Sequence, residues 1–137
     1  MTNISKHSLS EKDLAGLYKQ MDKFIAKLDT TSSAYFLSEL LGAEERIMVA
    51  KRFAAIAMYA EGNTPYRVWQ LLHMSPTTAE RIHLDFEVGR YKHTVGLMKK
   101  HKKDYAEFWE TLEVILRAGM PPRGRGRWKS VLKSLEQ

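Results

Sequence analysis

Thr64-Pro65-Tyr66-Arg67-Val68-Trp69-Gln70-Leu71-Leu72-His73-Met74-Ser75-Pro76-Thr77-Thr78-Ala79-Glu80-Arg81-Ile82 reads as two short helices joined by a tight turn. Pro65 suits the first turn of the first helix, where a missing N–H costs nothing. Ser75-Pro76 starts the second, with serine as N-cap and proline at the first helical position. Val68 and Leu72 form the inward face of the first helix, Met74 plugs the turn, and Ala79 and Ile82 form the inward face of the second. A helix-turn-helix needs these parts: a small shared core, a tight turn, and a capped second helix with polar residues at its start. Ser75, Thr77, Thr78, Glu80 and Arg81 then stand near the exposed N-terminal end of the second helix. From there side chains reach base edges and the helix end holds a phosphate. Tyr66, Arg67 and Gln70 on the first helix join the candidate DNA-binding set. On spacing alone, the stretch reads equally as a plain helical hairpin with an ordinary Ser-Pro helix start.

Two positions depart from the usual pattern. His73 stands where the turn often has glycine, and Trp69 stands where a small residue is usual. A size exchange is expected, with bulky Trp69 opposite small Ala79, because overpacking is otherwise costly.

Toward the N-terminus the reading stays helical. Ser10 caps a stripe of Leu14, Leu17, Tyr18, Met21, Ile25 and Leu28, spaced in threes and fours. Asp29-Thr30-Thr31-Ser32-Ser33 breaks the stripe, and the apolar block Tyr35, Phe36, Leu37, Leu40, Leu41 follows. After Gly42, Glu44 and Glu45 suit the positive end of an alanine-rich helix that runs to Glu61 and stops at Gly62. Toward the C-terminus Arg90, Lys92, Lys99, Lys100, Lys102 and Lys103 appear with no acid until Asp104. A single basic and aromatic helix is expected over 92–118, with Tyr105, Phe108, Trp109, Leu112, Ile115 and Leu116 as core or dimer interface. Gly119 and Pro121-Pro122 end it. The remainder, 119–137, reads as a basic arm in which Arg123, Arg125 and Arg127 are candidate minor-groove contacts, with a short terminal helix at Val131, Leu132 and Leu135. A solvated lysine face and an unstructured tail are the plainer readings of these two basic segments. The expected fold class is all-α, with 1–91 holding the dimerisation helices and the helix-turn-helix at about 64–89.

The chain has 137 residues, 44% apolar and 28% charged, with a formal net charge of +6. One domain with a real core is expected. The excess of 22 Lys+Arg over 16 Asp+Glu fits an anionic partner. Absence of cysteine removes disulfides, thiolate metal sites and cysteine nucleophiles. No apolar run reaches the ~20 residues of a membrane helix, and Met1–Asp13 contains no apolar leader core, so a cytoplasmic location is expected. His7, His73, His83, His93 and His101 form no His-x-x-x-His pair, and no P-loop, Gly-x-Ser-x-Gly or dinucleotide fingerprint occurs. The reading is therefore a non-enzyme without metal or cofactor.

The run Phe36 to Glu45, then Ala50-Lys51-Arg52, Glu61-Gly62 and Ser75-Pro76-Thr77-Thr78, resembles the Trp repressor superfamily over about residues 33 to 91. That family shows a Leu-Leu-Thr-x-x-Glu helix start, a Lys-Arg or similar pair, a glycine closing the central helix, and then the helix-turn-helix. The likeness is closer to the YerC/YecD-like branch than to the tryptophan-sensing repressor. The resemblance implies a helical bundle forming an intertwined homodimer on duplex DNA. Arg52 and Arg81 fall at the two arginine positions of that repressor's corepressor site, but Gly42, Ile82 and Asp85 replace its hydroxyl and small residues. L-Tryptophan is therefore not expected to act as corepressor. The expected function is a homodimeric, sequence-specific transcriptional regulator, a repressor by its resemblance. The competing expectation is an RNA-binding or protein-interaction module, or one that recruits a transposase or the transcription machinery, without operator specificity.

Overall fold

Side-chain caps set most of the helix starts. In the computed structural model, which describes residues 8–104 and 106–118, seven helices occur among the described residues: α1 (Glu11–Ile25), α2 (Thr30–Leu40), α3 (Ala43–Ala60), α4 (Pro65–Leu72), α5 (Pro76–Glu87), α6 (Lys92–Lys100) and α7 (Ala106–Ala118). No strand accompanies them among those residues. The basic arm with Arg123, Arg125 and Arg127, the terminal segment Val131–Leu135 and Tyr105 lie outside the described residues. The described residues fall into two compact units, one ending at Arg46 and one beginning at Ile47.

In the first unit, Ser10 Oγ accepts from the Asp13 N–H at 3.1 Å and starts α1. Asp29 accepts from the Ser32 N–H at 2.7 Å and starts α2. Hydrogen bonds from Ser32, the backbone first and then the side chain, hold the Asp29 carboxyl below the usual aspartate value. At the head of α3 the Gly42 N–H donates to Glu45 Oε1 at 3.1 Å, the reciprocal half of a capping box. Phe24 and Phe36 meet with ring centroids 5.2 Å apart. Neither α1 nor α2 has a buried residue. Leu14, Leu17, Tyr18, Met21, Phe24 and Ile25 on α1 are 37–56% exposed, and Tyr35, Leu37 and Leu40 on α2 also face solvent.

The second unit holds the core. Five consecutive residues of α3, Ala55 to Tyr59, are buried, so the end of this helix is covered on every side. Val68 and Leu72 of α4, Met74 of the turn, Ala79 and Ile82 of α5, Met98 of α6 and Leu112 of α7 complete the cluster. Every residue expected to form the inward face of the α4–α5 pair is buried. Both α3 and α5 end in the same way. Gly62 (φ +90°) bonds to Tyr59 O and the next N–H, Asn63, to Met58 O. Gly89 (φ +85°) bonds to Phe86 O and Arg90 to Asp85 O. These paired bonds close the last carbonyls, and the left-handed residue between them favours glycine.

The expected single helix over 92–118 is two helices, α6 and α7, separated by His101–Asp104. Lys99, Lys100, Lys102 and Lys103 place like charges three and four residues apart, which disfavours a continuous helix. His101, Lys102, Lys103 and Asp104 also supply no apolar side chain to bury. The inward stripe resumes at Phe108 and Trp109.

Candidate nucleic-acid interface

Of all helix pairs among the described residues, α4 and α5 pack together most extensively. Thr64 Oγ1 accepts from the Arg67 N–H at 3.3 Å and caps α4, with Pro65 at its first position. Ser75 Oγ accepts from the Thr78 N–H at 3.1 Å, donates to Thr78 Oγ1 at 2.7 Å, and caps α5 ahead of Pro76. Between them His73 adopts the left-handed conformation (φ 53°, ψ 54°), the one non-glycine residue with positive φ among those described. Glycine is common at this position for that reason, and histidine tolerates it better than a β-branched residue does. Trp69, the other departure from pattern, is half-buried and meets Tyr66 edge-on at 5.3 Å, while Ala79 is fully buried.

Two residues of α3 hold this pair from behind. Lys51 Nζ donates to the His73 carbonyl at 2.7 Å, and the buried Tyr59 hydroxyl donates to the Ala79 carbonyl at 2.7 Å. The Tyr59 ring lies 4.8 Å from His83 and 6.0 Å from Phe86. Burial, with a smaller contribution from the nearby Glu80 carboxylate, pushes the Tyr59 hydroxyl up to about 12. Sequence patterns do not single out Lys51 or Tyr59 for this role, because the bonds span 22 and 20 residues.

Thr77, Glu80 and Arg81 are exposed on α5, while Thr78 is half-buried with its oxygen engaged by Ser75. Leu84 (65% exposed) and Val88 (80% exposed) extend the same row at helical spacing, and in the sequence they pass as ordinary apolar residues. On α4 Tyr66 and Gln70 are exposed and joined, with Gln70 Nε2 donating to Tyr66 Oη at 2.8 Å. Arg67 is half-buried, and its Nε is shielded from solvent without a hydrogen-bond partner. The acids of α5 are largely engaged: Asp85 lies 3.1 Å from Arg90 and 3.5 Å from the Tyr91 hydroxyl, and Glu87 lies 3.2 Å from His83. Lys92, Lys99, Lys100 and Lys103 are exposed and stand beyond salt-bridge reach of every described carboxylate.

Arg52, Arg81, Ile82 and Asp85, which only the sequence resemblance relates to a corepressor site, are in different surroundings. Arg52 and Arg81 are exposed, Ile82 is buried in the core, and the Asp85 carboxylate is taken by Arg90 and Tyr91. Among the described residues no three potential metal-ligating side chains gather, and no helix is long and apolar enough to cross a membrane. Comparisons with protein-family models, with curated proteins and with solved structures give no match for this chain.

Proposed function

We propose that the protein is a homodimeric, sequence-specific DNA-binding regulator of Trp repressor-like type, with α4 and α5 acting as a helix-turn-helix. The observation that carries this reading is the start of α5: a Ser75-capped, exposed helix end with Thr77, Glu80 and Arg81 outward, fixed from behind by Lys51 and Tyr59. A recognition helix enters the major groove by this end, and a rigid seat keeps the base-reading side chains in register. Tyr66 and Gln70 are suited to backbone contact, and the unpaired lysines of α6 supply sequence-independent attraction.

The dimer rests on the apolar faces of α1 and α2 and on Ile47, Met48, Val49 and Phe53 of α3, all exposed. Exposed apolar side chains in such number, on each of the two units taken by itself, mark interaction surface. A second copy would place two recognition helices on successive turns of DNA, about 34–36 Å apart or a multiple of that. L-Tryptophan has no part in this scheme, since Ile82 and Asp85 are committed to the fold.

Selection of bound sequences from random duplex DNA is the test. A two-fold symmetric motif supports the reading, and absence of enrichment removes it. A specific observation favours one alternative. The exposed Leu84 and Val88 suit a protein partner better than a phosphate backbone, which fits a recruiting module without operator specificity. Absence of enrichment together with loss of partner binding in Leu84→Ser would select that alternative.

A further inference from the structure

We propose that Leu84 reads the 5-methyl group of a thymine in the major groove, one or two base pairs from the base that Arg81 meets. The inference rests on the DNA reading above and deepens it, by giving α5 an apolar contact with a base.

The inward face of α5 is Ala79, Ile82 and Phe86, all packed in the core cluster or against it. At about 100° per residue, Thr77, Arg81, Leu84 and Val88 fall within about 60° of one another on the opposite face. All four are exposed, Leu84 at 65% and Val88 at 80%. A helix seated in the major groove turns its outward row to the base edges. The polar members of the row have polar partners there. Arg81 suits guanine O6 and N7, and Glu80 beside it suits the amino group of cytosine. A phosphate backbone gives leucine no partner, but the floor of the groove gives it one. The apolar group that a base pair presents in the major groove is the methyl on thymine C5. Leu84 follows Arg81 by three residues, about 4.5 Å along the helix axis. The base-pair rise is about 3.4 Å, so the thymine lies one or two base pairs away.

Charge favours DNA over an apolar protein surface as the occupant of this face. Arg81 stands inside the row, beyond salt-bridge reach of every described carboxylate. Arg90 and Lys92 are exposed just past the C-terminal end of the helix. Asp85 and Glu87 are met by Arg90 and His83. An apolar partner would bury the Arg81 guanidinium unpaired, which is costly, whereas a duplex supplies acceptors for it beside the methyl.

The test starts from the sequence that the full chain selects from random duplex DNA. Each thymine of one half-site is replaced in turn by uracil, which pairs in the same way and lacks only the methyl, and binding is followed by fluorescence anisotropy at fixed salt. The position read by Arg81 is the one whose preference Arg81→Ala loses. One or two base pairs from it, uracil should weaken binding about threefold to fivefold, the worth of one methyl withdrawn from an apolar contact. Leu84→Ala, checked as folded by circular dichroism, should bind the thymine and uracil operators equally. The inference is overturned, with operator recognition left standing, by a selected site without thymine at those positions, by equal binding of thymine and uracil by the parent, or by an undiminished uracil loss in Leu84→Ala. Equal binding of both operators by the parent, with operator affinity unchanged in Leu84→Ala, would leave Leu84 to a protein partner. Absence of any enriched sequence removes the DNA reading itself, and this inference with it.

Discussion

Replacing Tyr59 by phenylalanine tests the seat of the α4–α5 pair at a single oxygen. The ring stays to pack against His83 and Phe86, and only the 2.7 Å bond to the Ala79 carbonyl is removed. That carbonyl keeps its place in the α5 ladder, so the neutral-pH cost is that of one net hydrogen bond, about 0.5–1.5 kcal/mol. The pH dependence is more diagnostic. Burial raises the folded-state Tyr59 hydroxyl from the ordinary tyrosine value of about 10 to about 12. The unfolded chain therefore loses this proton first as pH rises. The stabilisation is complete below pH 10 and is lost between about 10 and 12, and a two-unit shift amounts to about 2–3 kcal/mol. The parent should thus be the more stable protein at neutral pH and the less stable one at the top of this range. Urea unfolding of both proteins at a series of alkaline pH values measures the difference directly. Lysine titration is common to both chains and cancels. A parent-minus-variant difference that stays constant throughout would refute the placement of this hydroxyl in a buried bond to α5.

At the turn, His73→Gly should be neutral to about 1 kcal/mol stabilising, since relief of left-handed strain outweighs the added chain entropy; His73→Val should cost more than about 1 kcal/mol. The order of urea midpoints checks both. Ser75→Ala removes the oxygen that caps α5 and should lower stability by about 0.5–2 kcal/mol. It should also weaken DNA binding if the capped end carries the interface. On a selected operator, Arg81→Ala should lose about 1–3 kcal/mol relative to scrambled DNA, whereas Lys99→Ala should weaken both equally and flatten the salt slope by about one. Equal losses on both DNAs for Arg81→Ala would move the recognition surface elsewhere. Leu14→Lys/Leu17→Lys should convert a dimer to monomer in sedimentation equilibrium, and an already monomeric parent would remove the palindromic-operator expectation.

Local chemistry makes much of the fold legible in the amino-acid sequence. Ser10, Thr64-Pro65 and Ser75-Pro76 start helices where the cap rule puts them, and Gly62 and Gly89 stand at left-handed positions just past helix ends. These are short-range effects, settled within four or five residues. The inward set Val68, Leu72, Met74, Ala79 and Ile82 is equally readable, because a helix pair of fixed period can bury only one face of each member. Placement of the candidate site residues is less legible. Period alone cannot show that Thr78 is tied to Ser75, that the Arg67 Nε is shielded, or that Asp85 is spent on Arg90 and Tyr91.

What tertiary structure alone decided depends on contacts between residues far apart in the chain. The alanine-rich α3 shows no amphipathic stripe where it enters the core, since Ala55 to Tyr59 are covered all round, so the sequence pattern is silent about its neighbours. Lys51 and Tyr59 became the supports of the turn and of α5 only when α3 was laid behind them. The break between α6 and α7 is a balance of like-charge repulsion against packing, and packing is a tertiary quantity. Sequence determined where the capped helices start and which face of α4 and α5 turns inward. Folding decided which polar groups remained outward to meet a partner, because burial and hydrogen bonding over twenty residues of separation are not encoded in any local pattern.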